Sequence, residues 1–267
     1  MSSTMTMTAP APNRLTQQRQ SLLTKVPEVT VAFWVIKVLC TTVGETCADL
    51  INSKLGLGLT MTTYVMGIFL AVMLIAQFTL RHYVPAVYWS VVVLLSIVGT
   101  LITDNLTDNF GVSLTTTTCV FAAVLAGVFG TWYAVERTLS IHSIVTMRRE
   151  IFYWLAILFT FALGTAAGDL ISEKFSLGYV VATLLFAAAI GIFAVAWRLG
   201  AGAVLVFWGA YILTRPLGAS IGDLLGQHRQ DGGLGLGQLK ISVVFLLTIS
   251  ALIGYVTRTR IDVAERA

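Results

Sequence analysis

Polar residues punctuate this chain at long intervals. Eight runs of mostly apolar residues, at 29–51, 60–80, 86–107, 114–136, 150–172, 178–197, 202–224 and 238–257, are separated by short segments that hold most of the charged residues. A helix rising about 1.5 Å per residue needs roughly 20 residues to cross about 30 Å of hydrocarbon, so each run predicts a transmembrane helix. Residues 1–28, rich in Ser, Thr, Gln and Pro, predict a disordered tail, and 258–267 form a C-terminal tail. No short apolar core with a small-residue cleavage site precedes the first run, which argues against a cleaved signal peptide.

Within these runs one frame recurs: a Trp, a Gly ten residues on and an Asp five further on. The copies are Trp34/Gly44/Asp49, Trp89/Gly99/Asp104, Trp154/Gly164/Asp169 and Trp208/Gly218/Asp223. Three residue types at fixed offsets in four places mark an internal repeat. Beyond each Asp comes a short turn and a second apolar run carrying a hydroxyl, at Thr63, Thr118, Thr183 and Ser242. The predicted fold is therefore all-α: an eight-helix transmembrane domain over 29–257, built from two-helix repeats at about 29–85, 86–149, 150–201 and 202–257. Copies one and three are closest (DLINSKLGLG against DLISEKFSLG), so a two-repeat unit duplicated once more.

Each repeat crosses twice, so all four enter from the same side. That predicts parallel repeats about an axis along the membrane normal, fourfold or twofold. With the N-terminus inside, eleven Lys and Arg residues fall in the inner segments, against Lys54, Lys174, Arg229 and Lys240 outside. The positive-inside bias places both termini in the cytoplasm. All six tryptophans then lie at cytoplasmic helix ends, where they predict an interfacial aromatic belt.

Composition supports this reading. The chain is 57% hydrophobic and 11% charged, with mean hydropathy +0.85, far from the roughly 25% charge of soluble domains. Its net charge of +4 sets topology and does not indicate nucleic acid. Cys40, Cys47 and Cys119 lack metal or redox spacing and read as small packing residues. His82, His142 and His228 lie in loops and read as solvated. The four repeat glycines read as close-packing positions, as do the small-residue runs FAAVLAGVFG and FAAAIGIF of the even helices.

The candidate chemistry lies in the membrane. Fifteen helical residues set each Asp roughly 22 Å from its Trp, so Asp49, Asp104, Asp169 and Asp223 share one depth near the outer turns. One turn below stand Glu45, Thr100, Thr165 and Ala219, and a further turn down Thr41, Ser96, Phe161 and Arg215. Intramembrane carboxylates are costly unless paired, hydrated or protonated, and so are functional candidates. If the odd helices face a common axis, they line an oxygen-rich route closed inward by a guanidinium. The four Asp are candidate metal ligands, with Glu45 as a further ligand or proton carrier. Thr63, Thr118, Thr183, Ser242, Thr100, Thr165 and Arg215 are supporting residues. Oxygen-only ligation favours hard cations such as Mn²⁺, Mg²⁺ or Ca²⁺. Carboxylates held close compete for protons, which leaves proton coupling open. The polar cluster Asp104, Asn105, Asp108, Asn109 reads as an outer vestibule or as a solvated turn.

The Trp, Gly and Asp frame resembles a bacterial integral-membrane family of unknown function built from four tandem two-helix repeats, each with a characteristic tryptophan. The resemblance covers about 29–257 and implies a multi-pass protein of the bacterial inner (plasma) membrane; it implies no activity. The function expected from charge and depth is transport of a hard cation. A passive channel, or a scaffold in which each Asp caps a turn, are the alternatives. Without a His/Cys/Ser constellation, HExxH or phosphate loop, neither an enzyme nor a cofactor is expected. The lipid bilayer is the expected partner, and the sequence leaves the oligomeric state open.

Overall fold

Every expected span forms a helix in the computed structural model, which describes residues 24–55, 58–174 and 177–263. In chain order they are α1 (Val31–Leu55), α2 (Gly58–Thr79), α3 (Pro85–Asp104), α4 (Leu114–Glu136), α5 (Met147–Asp169), α6 (Gly178–Arg198), α7 (Ala203–Gly226) and α8 (Gln238–Thr259). Local signals set their starts. Pro85 needs no N–H partner at the first position of α3, and the Ser113 hydroxyl accepts from the Thr116 N–H at the start of α4. Gly58 and Gly178, at equivalent places in repeats one and three, adopt the same left-handed conformation (φ +73°), which glycine adopts without strain. After Asp104 and Asp169 the helices widen into π turns, Asn105–Asn109 and Leu170–Lys174.

Odd and even helices occupy different environments. In α1, α3, α5 and α7, 56–67% of the most apolar window is buried, against 11–22% in α2, α4, α6 and α8. The four odd helices form an inner ring in the order α1, α3, α5, α7 and back to α1. Each even helix packs mainly on the inner helix that follows it: α2 on α3, α4 on α5, α6 on α7, and α8 on α1. The last helix therefore closes onto the first, giving a pseudo-fourfold bundle with interlocked repeats. The described segments before α1 and after α8 meet on one face, where the Glu28 N–H donates to the Asp262 carbonyl.

The repeat glycines set the spacing of the inner ring. A Cβ at Gly44 would collide with Ser96, at Gly99 with Phe161, at Gly164 with Arg215 and at Gly218 with Thr41. Each glycine thus receives the Trp+7 side chain of the next repeat, and the fourth contact closes the cycle. The even-helix small residues behave otherwise: Gly127, Gly130 and Gly191 face open space. Their expected packing role fails because the outer helices touch the bundle on one narrow side only.

The tryptophans also depart from expectation. Trp89, Trp132, Trp154 and Trp208 are buried rather than spread in a lipid-facing belt, and only Trp197 is largely exposed, at 60%. The aromatic residue before each repeat Trp explains this. Phe33 packs on Trp89, Tyr88 on Trp154, Tyr153 on Trp208 and Phe207 on Trp34, with ring centroids 5.4–6.2 Å apart. These cyclic contacts form an aromatic plug at the terminal face. Cys40 and Cys47 are buried as expected, whereas Cys119 is exposed on the outer side of α4.

The segment before α1 is more ordered from Thr24 onward than a free tail. Lys25 reaches Glu150 at 2.8 Å and donates to the Phe78 carbonyl, while Glu28 pairs with His142 at 3.1 Å. The rest of the expected tail, residues 1–23, lies outside the described residues. At the other end Asp262 is buried and accepts from the Tyr83 hydroxyl at 2.7 Å, and residues 264–267 lie outside the described ones. The hydrogen bond with His142 holds the Glu28 carboxyl below its ordinary range, and the same bond holds the His142 imidazole above its own.

Two outcomes are expected. Gly99→Ala forces the α3–α5 contact apart against Phe161 Cβ and the Ala162 backbone, so thermal melting in detergent should fall by the equivalent of about 1–3 kcal/mol. Gly127→Ala, with open space around it, should match or exceed wild type. The Glu28–His142 link has a defined pH window. Its carboxylate part is present above about pH 4.5 and fades as pH falls through the lowered value. Its imidazolium part is complete below about pH 6.5 and is lost as pH rises through the raised value. The melting-temperature difference between wild type and His142→Asn should therefore peak between those pH values and vanish at alkaline pH.

Candidate functional site

The repeat register stacks the inner ring into layers, and the layer farthest from the chain termini is acidic. Asp49, Asp104, Asp169 and Asp223, one from each inner helix, line a single cavity of about 180 Å³ together with Glu45. Asn52, Thr107, Asp108 and Gln227 complete its polar wall. Asp49 accepts from Gln238 Nε2 of α8 at 2.6 Å, so one aspartate is held by the outer helix that closes the ring. Among the described residues no three His, Cys, Asp or Glu side chains converge closely enough to hold a metal ion. The aspartates are brought together around a cavity and not into a chelating set.

Behind Glu45, which lines the cavity, lies a buried guanidinium. Arg215, wholly inaccessible, donates from Nη2 to Glu45 Oε2 at 2.7 Å and to the Thr165 hydroxyl at 2.7 Å, and also to the Thr100 hydroxyl. Its Nη1 donates to the Thr41 carbonyl at 3.3 Å. These partners lie on α1, α3 and α5, so one side chain of α7 links all three other inner helices. Glu45, Thr100 and Thr165 occupy the same register position in successive repeats, which is why they converge; the fourth residue there is Ala219. The planar guanidinium, with five N–H donors, suits such a convergence as a compact ammonium would not.

Below Arg215 stands Lys37, also wholly buried. Its ammonium lies 4.0 Å from the ring centroid of Phe161 and 4.2 Å from that of Tyr211, and its nitrogen has no hydrogen-bond partner among the described residues. The box places aromatic residues of α5 and α7 around a lysine of α1, a juxtaposition that no linear spacing reveals.

The second hydroxyl frame separates from the cavity. Thr63, Thr118 and Thr183 donate to carbonyls of their own helices, at Leu59, Leu114 and Tyr179. Thr63 also accepts from Asn105 Nδ2 at 2.7 Å, tying α2 to the π turn after Asp104. Ser242 donates to the Thr46 hydroxyl at 2.8 Å, tying α8 to α1. Of the supporting residues, then, Thr100, Thr165 and Arg215 form the buried layer that meets Glu45 beneath the cavity, while Thr63, Thr118, Thr183 and Ser242 bond along or between helices. Within the polar cluster of repeat two, Asp104 and Asp108 line the cavity, whereas Asn105 and Asn109 bond with each other and with Thr60.

The helix pairs coincide with four matches to a family model described as a repeat of unknown function, at residues 32–83, 87–138, 152–201 and 206–262. The chain belongs to the DUF347 repeat family. As a DUF347 protein it carries four tandem copies and eight helices long and apolar enough to span a bilayer. No curated protein and no solved structure matches it. The layers in this DUF347 protein therefore speak for themselves: acids around a cavity, a guanidinium floor, a boxed ammonium and an aromatic plug.

Removing Arg215 should expose how far the layers depend on it. Arg215→Met leaves Glu45 buried without its partner, and breaking such a pair from one side costs about 3–5 kcal/mol. Adding Glu45→Gln should recover part of that loss, read as a double-mutant cycle of unfolding in detergent.

Proposed function

We propose that this protein is a transporter of a hard cation of the Mn²⁺, Mg²⁺ or Ca²⁺ type, with the acidic cavity as its entry and binding site. The supporting observation is that one aspartate from every repeat, joined by Glu45, lines one cavity directly above a guanidinium. A cavity of about 180 Å³ without a chelating cluster suits an ion that keeps water and is held partly through it, as Mg²⁺ characteristically does. The aromatic plug and the Arg215 floor close the path toward the terminal face. Passage therefore requires the guanidinium to leave Glu45, and a cation entering beside Glu45 supplies a competing positive charge that favours this exchange.

We place the protein in the bacterial inner membrane with both termini in the cytoplasm, because Lys and Arg are concentrated on the terminal face. The acidic cavity then opens toward the periplasm. A closed floor favours a transporter over a passive channel. The scaffold reading draws support from the Asp49 bond to Gln238, which is a structural tie.

Calorimetric titration with Mn²⁺, Mg²⁺ and Ca²⁺, followed by flux into proteoliposomes, tests this. Wild type should bind at least one of the three and admit it. The variant with all four Asp→Asn changes, folded by gel filtration and melting, should lose at least tenfold in both. Equal binding and flux by that variant would overturn the reading, and unchanged flux with a lower melting temperature would assign the aspartates to structure.

A further inference from the structure

A second cavity, of about 580 Å³, lies at the terminal face, far from the acidic one. Its walls are the terminal ends of α1, α6 and α7, which contribute Val31 and Trp34, Ala194 and Trp197, and Val204 and Phe207. The α4–α5 loop completes it through Leu139 and His142, and the loop is tied down because the Leu139 carbonyl accepts from Trp208 Nε1 at 2.9 Å. Trp34 and Phe207 meet with ring centroids 5.8 Å apart, so the cavity sits on the joint between α1 and α7 where the inner ring closes. Val31, Trp197 and Val204 line it and are exposed. It therefore opens on the outside of the bundle, where lipid lies.

The walls are apolar and the rim carries charge of both signs. Glu28 stands at the rim, and its bond to His142 engages Oε2 alone, whereas a carboxylate accepts at both oxygens. The start of α7 supplies the opposite sign. Ala203 and Val204 line the cavity, and no side chain caps the helix there, since its N-cap residue is Gly202. The first N–H groups of a helix carry partial positive charge and suit a phosphate. At α1, by contrast, the Thr30 hydroxyl already accepts from the Phe33 N–H at 3.2 Å.

We propose that this cavity holds an acyl chain of a membrane phospholipid with a primary-amine headgroup, as in phosphatidylethanolamine, its ammonium on Glu28 and its phosphate at the start of α7. The volume lies within the roughly 300–1,000 Å³ of pockets that enclose organic ligands. The chain alone confers no selectivity, because hydrocarbon gains little by exchanging one apolar surrounding for another. The rim decides. A primary ammonium donates up to three hydrogen bonds to acceptors such as Glu28; a quaternary choline nitrogen has no N–H to donate, and an anionic headgroup meets the carboxylate with like charge. A lipid seated here touches α1, α6 and α7 together, so it reinforces the ring at its seam.

The test is native mass spectrometry of the full chain, delipidated in detergent and titrated with phosphatidylethanolamine, phosphatidylcholine or phosphatidylglycerol of identical acyl chains, with melting followed in parallel. Wild type should bind one ethanolamine lipid at least fivefold more tightly than either other lipid, and melt higher with it. Glu28→Gln should lose that preference. Ala194→Trp, which fills the cavity from the exposed side of α6, should lose the tight site while melting as wild type does without lipid. Equal binding of the three lipids by wild type is unselective contact and would overturn the proposal. A preference for phosphatidylglycerol would also overturn it and assign the rim to an anionic headgroup. Wild-type preference in Glu28→Gln, or wild-type binding in Ala194→Trp, would place any lipid elsewhere. A wild-type chain that binds none of the three refutes the site, and one that does so as a dimer gives the cavity to a second copy.

Discussion

A guanidinium buried at the centre of a membrane bundle forfeits several kcal/mol unless most of its donors are answered. Nη2 of Arg215 meets Glu45 of α1, Thr100 of α3 and Thr165 of α5, and Nη1 meets the Thr41 carbonyl, while Nε has no hydrogen-bond partner among the described residues; that requirement shapes the interior. Three helices must bring one register position to within hydrogen-bond reach of a fourth helix. They can do so only if their backbones approach closely, and the repeat glycines supply that approach: Gly164 lies against Arg215 itself. Polar convergence and glycine spacing are thus two sides of one constraint. The carboxylates above gain from it as well, since Glu45 joins this guanidinium to the acidic cavity.

The interlocked outer helices explain how such a ring holds together in lipid. Helices in a bilayer gain little hydrophobic energy by associating, so close packing and polar ties must supply the cohesion. Because α2 packs on α3, α4 on α5 and α6 on α7, each outer helix fastens its own repeat to the next. The joint between α8 and α1 lacks a covalent turn, and there the polar ties are explicit: Ser242 to Thr46 and Gln238 to Asp49. The strap at the terminal face adds Lys25 to Glu150 and Glu28 to the Asp262 backbone. The cycle is closed where continuity of the chain cannot close it.

Spans, repeats and the common depth of the aspartates were legible because each is a one-dimensional property, set by length, offset and helical rise. The convergence of Glu45, Thr100 and Thr165 was legible for the same reason, since equal offsets in symmetric repeats arrive at equal places. Side-chain direction was harder to read. Trp89, Trp154 and Trp208 carried the signature of an interfacial belt, yet the aromatic before each turns them into a mutual plug. That signal, FW, YW, YW and FW, stood in the sequence but acquires meaning only once the repeats are known to be cyclic neighbours. The partner of each even helix, the exposure of Cys119 and the box around Lys37 depend on which helices touch, and nothing in a single repeat records that.

Fourfold repetition governs the backbone, but the interior charges break it. Lys37 and Glu45 belong to α1 and Arg215 to α7, so all three lie on the pair of inner helices that meet where the ring closes, while α3 and α5 contribute Thr100, Thr165 and Phe161 to the same layers. A ring of four equal acids presents an even field to an approaching ion; a floor charged on one side does not open evenly. Arg215 and Glu45 stand on α7 and α1, which are joined by packing and side-chain ties rather than by a connecting turn. The hydroxyls of α3 and α5 can meanwhile keep bonds to their own helices, as Thr100 does to Ser96 and Thr165 to Phe161. In the proposed transporter, the symmetric acids would hold the ion and the asymmetric charges would yield, at the seam between the first and last repeats.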